Sequence, residues 1–278
     1  MGEIINVIDL AKKIKGQIIE FVSQRENNGK MIPKIASIVV GEDGGSIFYI
    51  NSQEKVANSL GILFEKILLE ESTTEEELIN EIITLNNNEE IHGIILQLPL
   101  PKHIDEKKVI SYISPDKDID CLTYINQGKL YAGHKKFIPC TPNSVVTILD
   151  SLNINLQGKE VVVIGRSNIV GKPVAALMLE RNCTVTVCHS KTKDLQSVCQ
   201  RADILIVAIG IPNYIDSSYV KEGAIVIDVG TSSLNGKITG DVLLEDVIGK
   251  SSYMTKVPGG VGALTTTLLM KNVCEALK

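Results

Sequence analysis

Hydrophobic positions along this chain alternate between two spacings. From Val7 to Asn27 they recur every three to four residues, which predicts an amphipathic helix, and the apolar run from Lys34 to Val40 that follows predicts a strand. A helix is expected from Ser46 to Leu60, a strand over Ile62 to Ile67 and an acidic helix from Thr74 to Leu85. An apolar strand, Gly93 to Gln97, then ends at Leu98-Pro99-Leu100-Pro101. This is βαβ rhythm, and it predicts a mainly parallel sheet. Periodicity fades between Ser114 and Pro142, where Pro115, Gly128, Gly133, Pro139 and Pro142 fall, and this stretch reads as the crossing between two domains. Beyond it the rhythm resumes: strands at Glu160 to Ile164, Thr184 to Val187, Asp203 to Ala208 and Ala224 to Asp228, with a helix over Val170 to Arg181. Four short β-rich runs at this spacing predict a second, doubly wound domain of Rossmann type. A Gly-rich turn, Pro258-Gly259-Gly260-Val261-Gly262, leads into a closing helix from Ala263 to Ala276. The fold class is therefore α/β with two α/β domains, and the 278 residues are enough for both.

Composition narrows the functional classes. A chain that is 44% hydrophobic and 22% charged can build a packed core, so a disordered or fibrous protein is excluded. With 28 Lys+Arg against 33 Asp+Glu the net charge is −5, which argues against nucleic acid or an anionic membrane as partner. Any bound phosphate must be held locally. The 6 cysteines form no CxxC pair, and reduced, mostly buried thiols are expected. The 4 histidines lie far apart without metal-ligand spacing, so no metal is predicted. No apolar run reaches the roughly 18 residues of a membrane span, and no cationic leader precedes an apolar block, which points to the cytoplasm. Met1-Gly2 does not open a myristoylation motif, because Asn6 stands where Ser or Thr is required.

Local phosphate chemistry has an obvious candidate. After the strand ending at Ile164 comes Gly165-Arg166-Ser167-Asn168-Ile169-Val170-Gly171, a glycine-bearing turn that opens a helix. Backbone N–H groups and a helix N-terminus there can face a pyrophosphate, with glycine where a side chain would block it. The spacing is GxSxxxG rather than GxGxxG, and the same glycines would also serve a plain strand-to-helix turn. At the second strand tip an NAD enzyme usually carries an acidic residue for the ribose 2′-hydroxyl, but this chain has Cys188-His189-Ser190-Lys191-Thr192. Arg166 supplies a forked cation and Ser190 a hydroxyl, so NADP is favoured over NAD.

Taken together, several runs resemble the methylenetetrahydrofolate dehydrogenase/methenyltetrahydrofolate cyclohydrolase family of one-carbon metabolism, which feeds purine biosynthesis. They are Val40-Gly41-Glu42-Asp43 with Ser46 and Tyr49, Gln97-Leu98-Pro99-Leu100-Pro101, Lys117-Asp118-Ile119-Asp120, Pro139-Cys140-Thr141-Pro142, Gly165 to Pro173, and Val257 to Gly262. The resemblance covers essentially the whole chain. It implies a homodimer with a folate-binding catalytic domain over 1–142, an NADP-binding Rossmann domain over 143–262, and a C-terminal helix, 263–278, returning to the first domain. It further implies Tyr49 against the folate rings, Gln97 at the reacting centre and Asp120 on the pterin, with Gln53 on the catalytic helix and Pro258, Gly259 and Gly260 on the folate. Gly165, Arg166, Ser167, Gly171, Ser190 and Thr231 are implied for the cofactor. A carboxylate such as Asp120 can accept two parallel hydrogen bonds from a pterin and fix its orientation.

The chain departs from the family pattern where the catalytic helix usually reads Tyr-Val-x-x-Lys-x-Lys. Here the run is Tyr49-Ile50-Asn51-Ser52-Gln53-Glu54-Lys55, so Gln53 replaces the first lysine. Lys55 lies about 200° round the helix from position 53 and cannot substitute for it. Cys121 and Ser144 stand where the family commonly has Gly, and Ala263 where it has Pro. Oxidation of the methylene bridge transfers a hydride and needs positioned rings rather than a titrating side chain. Hydrolysis of the methenyl cation must deprotonate water and protonate a ring nitrogen, which an acid/base group assists. The leading expectation is an NADP-dependent dehydrogenase whose cyclohydrolase activity is weak or absent. The alternatives are a fully bifunctional enzyme and a catalytically silent folate- or nucleotide-binding regulatory protein. A shikimate-type dehydrogenase would need a Lys/Asp pair that the chain does not offer.

Overall fold

The computed structural model describes residues 2–234 and 236–278. They divide into two compact units, one of residues 13–138 with 266–278 and the other of residues 1–12 with 139–265. The chain opens with a two-residue strand, β1 (Glu3–Ile4), and the long helix α1 (Val7–Asn27). Strand β2 (Lys34–Val40), helix α2 (Gly44–Ser59), strand β3 (Leu63–Leu69), helix α3 (Glu75–Asn87) and strand β4 (Gly93–Leu96) follow, then the short helix α4 (Glu106–Ile110) and α5 (Tyr124–Tyr131).

In the first unit the three parallel strands stand in the order β3-β2-β4. The central strand β2 is covered on both faces, which is why it reads as a continuous apolar run rather than an alternation. Ala36, Ile38 and Val40 pack with Ile94 and Leu96 of β4 and with Leu78, Ile82 and Leu85 of α3. Each buried Ile or Leu in this cluster contributes roughly 1.5–3 kcal/mol. Helix α3 starts at Glu75 because Thr74 is its cap: Thr74 Oγ1 accepts from the Glu77 backbone N–H, and the Glu77 carboxylate accepts from Thr74 N. Helix α2 begins at Gly44, two residues before the expected Ser46, because the Asp43 carboxylate caps it by accepting from Ser46 N at 2.8 Å. The end of the chain belongs to this unit as expected, with Arg25 of α1 donating to the Leu277 carbonyl at 3.3 Å.

The second unit continues with helix α6 (Cys140–Ser151), strand β5 (Glu160–Ile164), helix α7 (Gly171–Glu180), strand β6 (Thr184–Cys188), helix α8 (Leu195–Cys199) and strand β7 (Ile204–Val207). Next are β8 (Ile225–Asp228), the hairpin strands β9 (Ser232–Leu234) and β10 (Lys237–Thr239), helix α9 (Leu244–Val247), strand β11 (Tyr253–Met254) and the closing helix α10 (Val261–Ala276). Its sheet is parallel, in the order β1-β11-β8-β7-β5-β6. The chain leaves β5 in one direction to β6 and returns on its other side as β7. That reversal opens a crevice beyond the carboxyl ends of β5 and β7.

Two expectations are corrected here. The stretch from Ser114 to Pro142 is not irregular throughout: α5 is capped by the Thr123 hydroxyl, which accepts from Asn126 N, and α6 starts directly after Pro139. Scattered Pro and Gly masked these helices, since Pro139 and Pro142 sit before or within a first turn, where a missing N–H costs nothing. The Rossmann sheet also has six strands rather than four, because β1 and β11 are two residues long and carry no readable period. All six cysteines are buried thiols. Among the described residues no helix is long and apolar enough to cross a membrane, and no cluster of His, Cys, Asp and Glu could hold a metal ion.

Candidate active site

The expected folate-side residues Tyr49, Gln53, Gln97 and Asp120 all lie in the first unit. Tyr49 and Gln53 are one turn apart on α2, but their surroundings differ: Tyr49 is 59% exposed and Gln53 only 9%. The Tyr49 ring meets that of Phe48 edge-on, with centroids 6.2 Å apart, so an aromatic surface stands open to a ligand ring. Gln97 follows β4 and is buried. Its Nε2 donates to Gln53 Oε1 at 2.6 Å and to Ser37 Oγ at 3.0 Å. Ser37 comes from the middle of β2 and is fully buried. Sequence reasoning missed it, although one hydroxyl inside an otherwise apolar strand was the available signal. Lys55 is exposed on α2, as the helix geometry required.

Asp120 is half-buried at the end of a segment fixed from several sides. The Lys117 ammonium donates to the carbonyls of Leu85 and Asn88, and Asn272 of α10 donates to the Ile119 carbonyl at 2.7 Å. The neighbouring Asp118 is 1% exposed, and its carboxylate accepts from Leu122 N, Thr123 N, Thr123 Oγ1 and Asn126 Nδ2. Asp118 therefore organises the loop that presents Asp120. Cys121, where the family commonly has Gly, adopts φ 59°, a left-handed conformation that explains the usual glycine. Burial pushes its thiol well above the ordinary range.

In the second unit a cavity of about 430 Å³ opens at the crevice described above, with walls that include Ile164, Gly165, Arg166, His189, Ser190 and Ile209. Gly165 has φ 127°, and a Cβ there would stand 2.2 Å from the Ala208 carbonyl oxygen, so only glycine lets β5 turn so close to β7. At Gly171 a Cβ would lie 2.1 Å from the Gly165 oxygen, which brings α7 tightly onto the turn. The Ser167 hydroxyl is directed at the backbone, accepting from Val170 N at 3.2 Å and Gly171 N at 3.4 Å. Arg166 and Ser190 are exposed at the mouth, and Thr231 follows Gly230 after β8. Pro258, Gly259 and Gly260 form the turn before α10, Gly259 with φ 97°. An apolar wall beside an arginine and a serine suits a nucleotide carrying an extra phosphate.

Comparison with known proteins settles the family. Residues 5–120 match the tetrahydrofolate dehydrogenase/cyclohydrolase catalytic domain, and residues 139–278 match the NAD(P)-binding domain of the same enzymes. The chain belongs to the tetrahydrofolate dehydrogenase/cyclohydrolase family. It is 66% identical over 278 residues to the bifunctional protein FolD of Clostridium botulinum (strain Alaska E43 / Type E3), covering 100% of this chain and 99% of that one. The crystal structure of the bifunctional FolD enzyme from Campylobacter jejuni superposes with a TM-score of 0.97 at 42% identity, covering 99% of this chain and 98% of that one. The Trypanosoma brucei enzyme, solved with NADP cofactor and an inhibitor, gives 0.93 at 35% identity over 99% and 97% of the two chains. The chain is thus a tetrahydrofolate dehydrogenase/cyclohydrolase enzyme of one-carbon metabolism, with a catalytic domain for a folate substrate and a domain that binds a nicotinamide nucleotide, NAD(P). The weak or absent cyclohydrolase expected from Gln53 finds no support in these family members, which are named as bifunctional; they fit the bifunctional alternative better.

Proposed function

We propose that this protein oxidises 5,10-methylenetetrahydrofolate with NADP and hydrolyses the product to 10-formyltetrahydrofolate, with Tyr49, Gln53, Gln97 and Asp120 on the folate and Gly165, Arg166, Ser167, Gly171, Ser190 and Thr231 on the nucleotide. The full-length identity of 66% to a bifunctional relative carries this reading. NADP, when bound, accepts the hydride. For that step the chain's residues position and screen: Tyr49 offers a stacking face, Asp120 two acceptors for the pterin, and no proton need move on a side chain. Preference for NADP over NAD is supported by Arg166 and Ser190 at the cavity mouth and by the missing carboxylate at the tip of β6.

The hydrolytic step draws on the Ser37–Gln97–Gln53 chain. Both Nε2 hydrogens of Gln97 are committed, so its Oε1 remains to accept from an attacking water, and the Gln53 amide N–H groups remain as donors. An amide can orient that water but not take its proton, so solvent carries the proton away. A second reading, hydrolysis weak or absent, rests on this lack of a titrating group at Gln53. Separate assays decide: decay of methenyltetrahydrofolate absorbance well above the buffer rate supports the bifunctional enzyme, while decay at the buffer rate with NADPH formation intact leaves the second reading. A homodimer in the cytoplasm is part of the same proposal, supported by the resemblance of the whole chain; light scattering of the pure protein tests the dimer.

A further inference from the structure

Two buried carboxylates lie behind the wall of the nucleotide cavity, and neither reaction step uses them. Asp228 ends β8 and is 2% exposed; Asp241, shortly after β10, is 0% exposed. Asp241 Oδ2 accepts from Ile209 N at 2.7 Å and from Gly210 N at 2.9 Å, so it holds the turn after β7 whose Ile209 lines the cavity. Asp228 Oδ1 accepts from Gly230 N and from Asp241 N, both at 3.0 Å, and its Oδ2 accepts from Val242 N at 3.0 Å. The Asp228 backbone N–H in turn donates to Thr255 Oγ1 at 2.8 Å. Four separate segments between Ile209 and Thr255 are therefore tied to one pair of side chains.

The chain makes room for this pair. A Cβ on Gly230 would stand 2.2 Å from the Asp241 carboxyl carbon, and one on Gly240 would stand 1.9 Å from Asp228 Oδ2. Asp241 Oδ1 is buried with no hydrogen-bond partner among the described residues. Burial, with the Asp241 charge adding to it, pushes the Asp228 carboxyl up to about 6. Two adjacent buried carboxylates are a costly way to fill a core, and apolar residues would stabilise the same space more cheaply. What apolar residues cannot supply is an acceptor for the paired N–H groups of the turn at Ile209 and Gly210. Fixing that turn in advance spares the ordering cost when a ligand binds.

We propose that Asp241, backed by Asp228, is a positioning residue for the nicotinamide nucleotide: it fixes the 209–210 turn so that the cavity wall is formed before the cofactor arrives. The proposal rests on the assignment of this cavity to the cofactor, and titration of NADP onto the wild-type protein checks that assignment first. Asp241→Ala removes the single oxygen that accepts both bonds, whereas Asp241→Asn keeps an amide oxygen in the place of Oδ2. For Asp241→Ala, NADP affinity should fall and KM for NADP rise by about ten- to hundredfold, the loss expected for charge-assisted bonds to two N–H groups, while KM for the folate stays within about threefold. Asp241→Asn should return NADP affinity to within about threefold of wild type, because the acceptor is restored. Amide exchange on the cofactor-free wild-type protein should find Ile209 and Gly210 already protected. Unchanged NADP affinity in a folded Asp241→Ala, an equal loss of folate and NADP binding, or rapid exchange at Ile209 and Gly210 overturns the proposal. If Asp241→Ala does not fold, the Asn variant and the exchange measurement decide it, and a tenfold loss of NADP affinity in Asp241→Asn counts against it.

Discussion

Replacing Gln53 with lysine tests the chemistry of the folate side most directly. Gln53 Oε1 accepts from Gln97 Nε2 at 2.6 Å, and an ammonium cannot accept. The Gln97 amide can rotate so that its oxygen faces position 53, and the Ser37 hydroxyl, which now accepts from Gln97 at 3.0 Å, can donate instead. Both contacts re-form with reversed polarity, so the stability cost that remains is desolvation of the ammonium, about 1.4 kcal/mol for each tenfold by which burial weakens its hold on the proton. At a position only 9% exposed, a lysine is pushed below its ordinary value by desolvation, the direction a general base requires. General acid–base catalysis is worth about 10²–10⁴-fold, or roughly 3–5 kcal/mol of barrier. Gln53→Lys should therefore accelerate hydrolysis of methenyltetrahydrofolate by up to that factor and add an ionisation to its pH profile, while NADPH formation stays within about threefold. The assay follows methenyl absorbance without NADP and NADPH formation with it, on the same preparation. A folded variant that keeps its dehydrogenase activity yet hydrolyses no faster than wild type refutes the reasoning and makes the family lysine dispensable in this site.

Arg166→Ala should weaken NADP far more than NAD, as measured by catalytic efficiency with each cofactor; equal efficiency of the wild type with both would remove Arg166 and Ser190 from the 2′-phosphate. Asp120→Ala should cost folate binding on the order of 1.5–3 kcal/mol and leave NADP titration unchanged, and equal folate affinity would take Asp120 out of the site. The Asp228 carboxyl is raised in the folded state from 3.8 to about 6, chiefly by burial, so the folded protein holds that proton more tightly than the unfolded chain. Its contribution is complete below the unfolded value and is lost as pH rises through about 6, a fall of about 3 kcal/mol in unfolding free energy. Urea titrations between those pH values should show this slope, and Asp228→Asn should flatten it.

Much of this protein is local and therefore legible in the residues. The apolar runs at Lys34–Val40 and Glu160–Ile164 can only be satisfied as buried parallel strands, and the observed strands have those same limits. Helix α1 lies where its period placed it, and Thr74 and Asp43 act as caps that a side chain can form with its own neighbours. The glycine turn after β5 is equally local, since Gly165 and Gly171 are demanded by backbone geometry within one loop. Other features had no local signal. Strands β1 and β11 exist only because they pair with each other and with β8. Gln97 reaches Gln53 and Ser37 across 44 and 60 residues, and Asp241 reaches Ile209 across 32. The sequence determines which residues can donate, accept or hide from water, because those are properties of each side chain and its near neighbours. The tertiary structure alone decides which buried donor meets which acceptor, because an unpaired polar group in the core is costly and its partner is supplied by whatever segment the fold brings alongside.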